Sequence, residues 1–380
     1  MDYTNYMNKK RAGLLLNPIT GSKMDMKDRI VRNTFAKFHE CRLSSLSPFV
    51  EKTEGTTPFS EEGSEIFDIG YANGTWVIVG SDSSGGSSIK YSLDGVTWQD
   101  SDCPIFQSQE EVPGVCNGVI FANRQWVAVG QDDGSGIMVC YSSNGITWTA
   151  SSATSIVDTS NHLNHVAYGG GRWVAVGYIN DSDQNIFYSE DNARTWTPCS
   201  GGFGFGVGGT GFGATFSRGT WVAVGEKAAD GVSNILHSSN GREWTAVEDA
   251  PFTTGYAAFV ESSDALFVAV GMDVSDSENP KSIFTSTNGL TWSPTNGEQF
   301  LGTYCYGVRY SNGLWVATGQ ASDGDNILYS VDGVNWRAAA GTPFNEGGHC
   351  YAMIHGDSKW IAVGEDENGA TKILTSVALC

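Results

Sequence analysis

Trp173-Val174-Ala175-Val176-Gly177 decides the fold, because close variants of it occur seven times in the 380-residue chain. They begin at Trp76, Trp126, Trp173, Trp221, Phe267, Trp315 and Trp360, at spacings of 50, 47, 48, 46, 48 and 45 residues. A second string follows six of them, 21 to 25 residues on, of the form Ser-x-Asp/Asn-Gly-x-x-Trp. It ends at Trp98, Trp148, Trp196, Trp244, Trp292 and Trp336.

Within the third repeat, His165 to Tyr168 alternates into a Gly169-Gly170-Gly171 turn, and Arg172 to Gly177 is a β-branched and aromatic run. Asn185 to Ser189 is a third run, and a tight turn at Asp191-Asn192 leads into Thr195-Trp196-Thr197. Short Val, Ile, Tyr and Trp runs broken by Gly, Asn and Asp read as strands joined by hairpins. The pairs Asp94-Gly95, Asn144-Gly145, Asn240-Gly241, Asn288-Gly289 and Asp332-Gly333 supply the positive φ that two-residue turns need. Four strands per repeat leave no room for helices. Repeats of this length built from short strands predict an all-β, seven-bladed β-propeller with four-stranded antiparallel blades.

The seventh repeat stops before its fourth strand. Leu46 to Glu51 precedes Thr57-Pro58-Phe59 much as Trp336 precedes Thr342-Pro343-Phe344. Residues 46–51 are therefore expected to complete the last blade, which removes a free sheet edge. The expected organisation is an N-terminal arm, 1–45, and a propeller, 46–380. The repeat Trp residues read as fillers between neighbouring blades.

The chain has 22 basic and 42 acidic residues, a net charge of −20. The arm holds 9 basic against 4 acidic side chains, and the ring 13 against 38. An acidic ring repels nucleic acid and anionic membranes and favours basic partners. No run approaches the length of a membrane span, and Lys9-Lys10-Arg11 leads into only a short apolar run, so no signal peptide is expected. The eight cysteines form no CxxC pair, which argues for reduced structural thiols.

In the arm, a helix is expected over about 23–40, capped by Ser22 or Asp25. Ile30, Val31, Phe35 and Phe38 lie on its apolar side, and Arg29 and Arg32 are interleaved. Such a basic amphipathic helix has three readings: docking on its own ring, gripping a partner or sister subunit, or touching a membrane.

The loop after each Trp-Val-Ala-Val-Gly strand is acidic in all seven repeats, so one face should carry an acidic crown. Asp181, Asp183 and Asn185 open like a calcium loop but lack an acidic twelfth position. Eleven residues before each repeat Trp stand Glu65, Val115, His162, Thr210, Tyr256, Tyr304 and His349. They are expected at the channel mouth, where His162, Tyr256, Tyr304 and His349 are candidate ligand-binding residues. Gly204-Phe205-Gly206-Val207-Gly208-Gly209 matches GxGxxG, but it lies between strands, where it has no phosphate-binding meaning. No cofactor motif is present.

The hairpin string, as in Ser189-Glu190-Asp191-Asn192-Ala193-Arg194-Thr195-Trp196, resembles the Asp-box repeat of sialidase-like propellers. Ala193 replaces the family's Gly. The other five copies are one residue shorter, and Asn144, Asn240 and Asn288 replace the Asp. The resemblance covers about 46–380 and implies architecture. Catalysis in that family needs three arginines around the sugar carboxylate, and here only Arg309 lies on an inner strand. Repeats of this kind also resemble those of phage and viral structural proteins and bacterial surface proteins. The expected function is a non-enzymatic interaction propeller anchored by its arm in a larger assembly, such as a virion or phage-like particle. A glycan-binding adhesion module is the alternative, and a glycoside hydrolase the next.

Overall fold

The computed structural model describes residues 50–377, except for 52–57, 60–62, 108–113, 132–134, 153–157, 200–203, 230, 274, 276–279, 301–303, 321–324, 340–343 and 345–346. The expected arm helix and its residues Arg29, Ile30, Val31, Arg32, Phe35 and Phe38 lie outside the described residues.

Seven antiparallel blades follow one another along the chain, and no helix occurs among the described residues. Their inner strands are Glu65–Ala72, Cys116–Ala122, His162–Gly169, Thr210–Ser217, Gly255–Ser262, Cys305–Ser311 and His349–Gly356. Each inner strand turns back into the strand that carries the repeat Trp, and two further strands complete the blade. The sixth blade gains a short parallel strand, Asn296–Gly297. The seventh takes its outer strand from the other end of the chain. Val50 pairs with Thr375 and Glu51 with Leu374, antiparallel to Thr371–Val377.

The core is seven apolar clusters, each shared by consecutive blades. Val77, Val79 and Ile89 of blade 1 meet Cys116, Val119 and Trp126 of blade 2. The same arrangement returns until Ile361 and Val363 of blade 7 meet Ile66, Ile69 and Trp76 of blade 1. The repeat Trp residues are buried in these seams, and truncating one to Ala would cost about 3–5 kcal/mol. Cys116, Cys140, Cys305 and Cys350 are free and buried, and burial pushes their thiols up.

Six hairpins share one hydrogen-bond pattern. In blade 1 the Ser92 hydroxyl accepts from Gly95 N at 2.8 Å, and Asp94 Oδ1 accepts from Val96 N and Thr97 N at 2.7 Å each. The Thr97 amide, above all, holds the Asp94 carboxyl down at about 2. Ser142–Asn144, Ser189–Asp191, Ser238–Asn240, Ser286–Asn288 and Ser330–Asp332 repeat the arrangement.

Every inner strand carries a β-bulge at the same place, centred on Phe67, Asn117, Asn164, Phe212, Ala258, Tyr306 and Tyr351. The glycine that ends each Trp-Val-Ala-Val-Gly string lies against it. A Cβ on Gly177 would sit 2.1 Å from the His162 carbonyl oxygen, and one on Gly364 would sit 1.9 Å from that of His349. The glycine is there because the bulged backbone passes too close for any side chain.

Candidate binding site in the axial channel

The inner strands enclose a channel of two chambers. The first, about 310 Å³, is lined by the bulge residue of every blade, together with Asp68, His165, Tyr256, Phe259 and Arg309. The second, about 420 Å³, opens at the opposite end and is lined by the later residues of the same strands, including Thr215, Glu261, Ser262, Tyr310 and His355. His165 and Arg309 line both chambers and so form the partition.

Strand alternation and the bulge explain the layout. Successive strand residues face opposite sides, and the inserted residue brings its own side chain to the axis beside its neighbour's. The partition residues are one and three places beyond the bulge. At the first of these places, Asp68, His165 and Phe259 alternate with Gly118, Gly213, Gly307 and Ala352, so three large side chains have room on the axis. Arg309 and Glu261 come from the second place.

Arg309 Nη2 donates to Asp68 Oδ1 at 3.1 Å, and its guanidinium lies 4.3 Å from the centre of the Phe259 ring. Asp68 also accepts from Ile69 N at 2.8 Å and Val119 N at 3.1 Å. Burial pushes the Asp68 carboxyl up against the pull of Arg309 and these amides. His165 packs edge-on to Phe259 at 4.7 Å, and its Nδ1 accepts from Ala214 N at 3.3 Å. Burial, helped by the nearby Arg309 charge, lowers its pKa to about 3, so the imidazole is neutral. Burial likewise raises the Glu261 carboxyl.

The four residues expected at the mouth divide. Tyr256 lines the first chamber and meets Phe212 edge-on at 6.0 Å. Tyr304, 46% exposed, stacks on Tyr306, a lining residue, at 6.0 Å. His349 Nδ1 is 2.7 Å from the Tyr306 hydroxyl. His162 does not line the chamber: it stacks on Tyr178 at 5.5 Å, with Nδ1 3.2 Å from Ser160 O. The seven bulge residues and the partition were not found from sequence. The available signal was polar Asp68, His165, Glu261 and Arg309 on strands whose neighbours are otherwise small or apolar.

Several acids of the crown fasten loops. Asp82 is buried against Lys90 at 2.7 Å, Asp273 accepts from Phe252 N at 3.1 Å, and Asp366 pairs with Lys372 at 3.4 Å. Asp181 and Asp183 are exposed. Asn185 is buried. It donates to Gly206 O and Gly209 O and accepts from Phe205 N, which pins the glycine-rich loop leading to the next blade. Among the described residues no three His, Cys, Asp or Glu side chains gather as a metal site. No helix among the described residues is long and apolar enough to cross a membrane.

The chain matches no protein-family model and no curated protein. Solved structures do resemble it. One is YCF48 bound to D1 peptide, at 15% identity and a TM-score of 0.54, covering 83% of this chain and 92% of that one. Another is the WD40 beta propeller domain of Doa1, at 10% identity and a TM-score of 0.52, covering 86% and 97%. Likeness at these identities establishes the shared fold: the chain is a seven-bladed β-propeller.

Proposed function

We propose that this chain is a protein-interaction module that takes an extended segment of a partner protein into its first axial chamber. The observation that carries this reading is the chamber itself. Seven bulge residues of differing type, Phe, Asn, Asn, Phe, Ala, Tyr and Tyr, surround an aromatic cavity with a fixed floor, held on a scaffold that is otherwise repetitive. Concave apolar sites with a few placed polar groups are where ligands bind. The similar propeller YCF48 is bound to a peptide in its solved structure, which supports a peptide as the class of ligand.

A hydrolytic role is less well supported. A glycosidase needs two carboxyl groups flanking one bond. Asp68 lines the first chamber and Glu261 the second, with Arg309 at the partition between them, so no single cavity presents both. The six alike hairpins support the resemblance to Asp-box repeats. The opposite charges of residues 1–45 and of the ring support a role for the arm as a tether into an assembly, a virion or phage-like particle being the setting the repeats suggest.

An array of immobilised peptides, probed beside a glycan array, tests the reading. Peptide binding by the native chain is expected, lost in Ala258→Trp, which fills the chamber, and kept in Leu93→Ala on the outer surface. Glycans bound with peptides silent would replace it with the adhesion reading.

A further inference from the structure

One sector of the chamber mouth, where blades 6, 7 and 1 meet, has a composition of its own. Tyr304 and Tyr306 stack with their rings 14° apart, and Tyr306 meets Tyr351 edge-on at 5.1 Å. The His349 ring lies 5.7 Å from Tyr306 and 5.8 Å from Tyr351. Behind these rings stands Glu365, which accepts from the Tyr351 hydroxyl at 2.7 Å and lies 3.8 Å from His349 Nε2. Glu65, the first residue of the next inner strand, brings a second carboxyl to the same place. Burial, and then the charge of Glu365, push that carboxyl up, so the two acids feel each other.

No cation of the chain answers this charge among the described residues. Among the described residues Arg309 is the sole Lys or Arg lining the chamber, and it is held by Asp68 and lies over Phe259. Among the described residues the Glu65 side chain has neither hydrogen bond nor ion pair. Two acids sharing a site favour an incoming positive charge, and the faces of aromatic rings attract cations in the same sense. A metal ion does not suit the sector. Calcium needs six or more oxygens, and zinc at least three protein ligands, whereas here Glu365 already accepts from the Tyr351 hydroxyl and His349 Nδ1 already meets that of Tyr306.

We infer that this sector receives the side-chain cation of a lysine or arginine carried by an extended partner segment. The inference rests on the reading of the chamber as a peptide site and names the chemistry that site selects. The acidic loops on the same face add a long-range field of the same sign, which speeds the approach of a basic segment and weakens as salt is added.

The test uses the full chain and fluorescein-labelled peptides Gly-Ser-Ser-Xaa-Ser-Ser-Gly, with Xaa Lys, Arg, Gln or Glu, titrated by fluorescence anisotropy. The Lys or Arg peptide is expected to bind about ten-fold more tightly than the Gln peptide, and the Glu peptide most weakly. The double substitution Glu65→Gln and Glu365→Gln should reduce that preference to about two-fold or less. Tyr304→Leu should weaken the cationic peptides while Tyr304→Phe, which keeps the ring, restores them. Tyr304 is exposed, so both variants are expected to fold, and unchanged melting confirms it. Equal binding of the Lys, Arg and Gln peptides overturns the cation inference and leaves the peptide site standing. Failure of every peptide, here and on the array, overturns both.

Discussion

Arg309 of the sixth blade is bonded to Asp68 of the first, 241 residues away in sequence, and this pair closes the floor of the first chamber. Both side chains are largely buried, at 17% and 7% exposure. The contact fixes where the cavity ends and ties two non-adjacent blades across the channel.

Removing one partner of such a pair strands the other. Arg309→Met is expected to lower the free energy of unfolding by about 3–5 kcal/mol at neutral pH, because the Asp68 carboxylate is left buried without its cation. Asp68→Asn combined with Arg309→Met should recover a large part. The deficit of the single variant should shrink as pH falls, since burial already pushes the Asp68 carboxyl up and protonation relieves it. Equal losses for the single and double variants in denaturant titrations would contradict this account.

His165 gives the opposite pH dependence. Its pKa is about 3 in the folded ring and about 6.5 when unfolded, so between these values the unfolded chain binds the extra proton. Stability attributable to it is complete above pH about 6.5 and is lost as pH falls toward 3. At pH about 4.5 the loss is on the order of 3 kcal/mol. Protonation would also remove the Nδ1 acceptor from the Ala214 amide. His165→Gln should flatten this part of the stability profile. An unchanged difference between pH 7.5 and 4.5 would count against it.

The repeat glycines divide into two kinds. Gly177→Ala places a methyl 2.1 Å from a backbone carbonyl oxygen that has no rotamer to move, and should cost about 3 kcal/mol. Gly171→Ala meets nothing within 4 Å but keeps φ at +79°, and should cost nearer 1 kcal/mol. Thermal melts that rank the two the other way round would refute the close approach at the bulge.

In the hairpins, Ser330→Ala removes a hydroxyl that accepts from Gly333 N at 2.9 Å and donates to Asp332 Oδ1 at 2.9 Å. A loss of about 1–2 kcal/mol is expected, as for other side chains that cap backbone amides. Matching losses in Ser92→Ala and Ser286→Ala would establish that the turns are energetically alike, and a spread beyond about 1 kcal/mol that they are not.

The architecture was legible because the repeat spells out its own strands. Trp-Val-Ala-Val-Gly marks a strand packed on both faces, Asp-Gly or Asn-Gly marks its hairpin, and seven copies set the blade number. Closure was legible as well, since Leu46 to Glu51 precedes Thr57-Pro58-Phe59 as Trp336 precedes Thr342-Pro343-Phe344, and Val50 and Glu51 do pair with the last strand. The candidate site was legible only in part. Counting back from the Trp reached the end of the inner strand where Tyr256, Tyr304 and His349 stand. Beyond that point the bulge changes the count, and Asp68, His165 and Arg309, an odd number of residues beyond the mouth positions, come to the axis at places that plain alternation assigns to the other side. The Asp68–Arg309 pair joins blades 1 and 6, and a repeat period carries no information about which blades meet across a channel.

The bulge has a wider consequence. Its glycine and its Trp are what the ring needs from each blade, while the bulged side chain differs from blade to blade: Asn117 and Asn164 donate to Leu163 O and Gly211 O of the next inner strand, and Phe67, Phe212 and Ala258 have no polar group to tie. Bulge positions without such a bond are thereby released from structural duty while being held in fixed places around one opening. A chain built this way can change what it recognises one blade at a time, as a lock is re-keyed by exchanging single pins while its barrel stays the same.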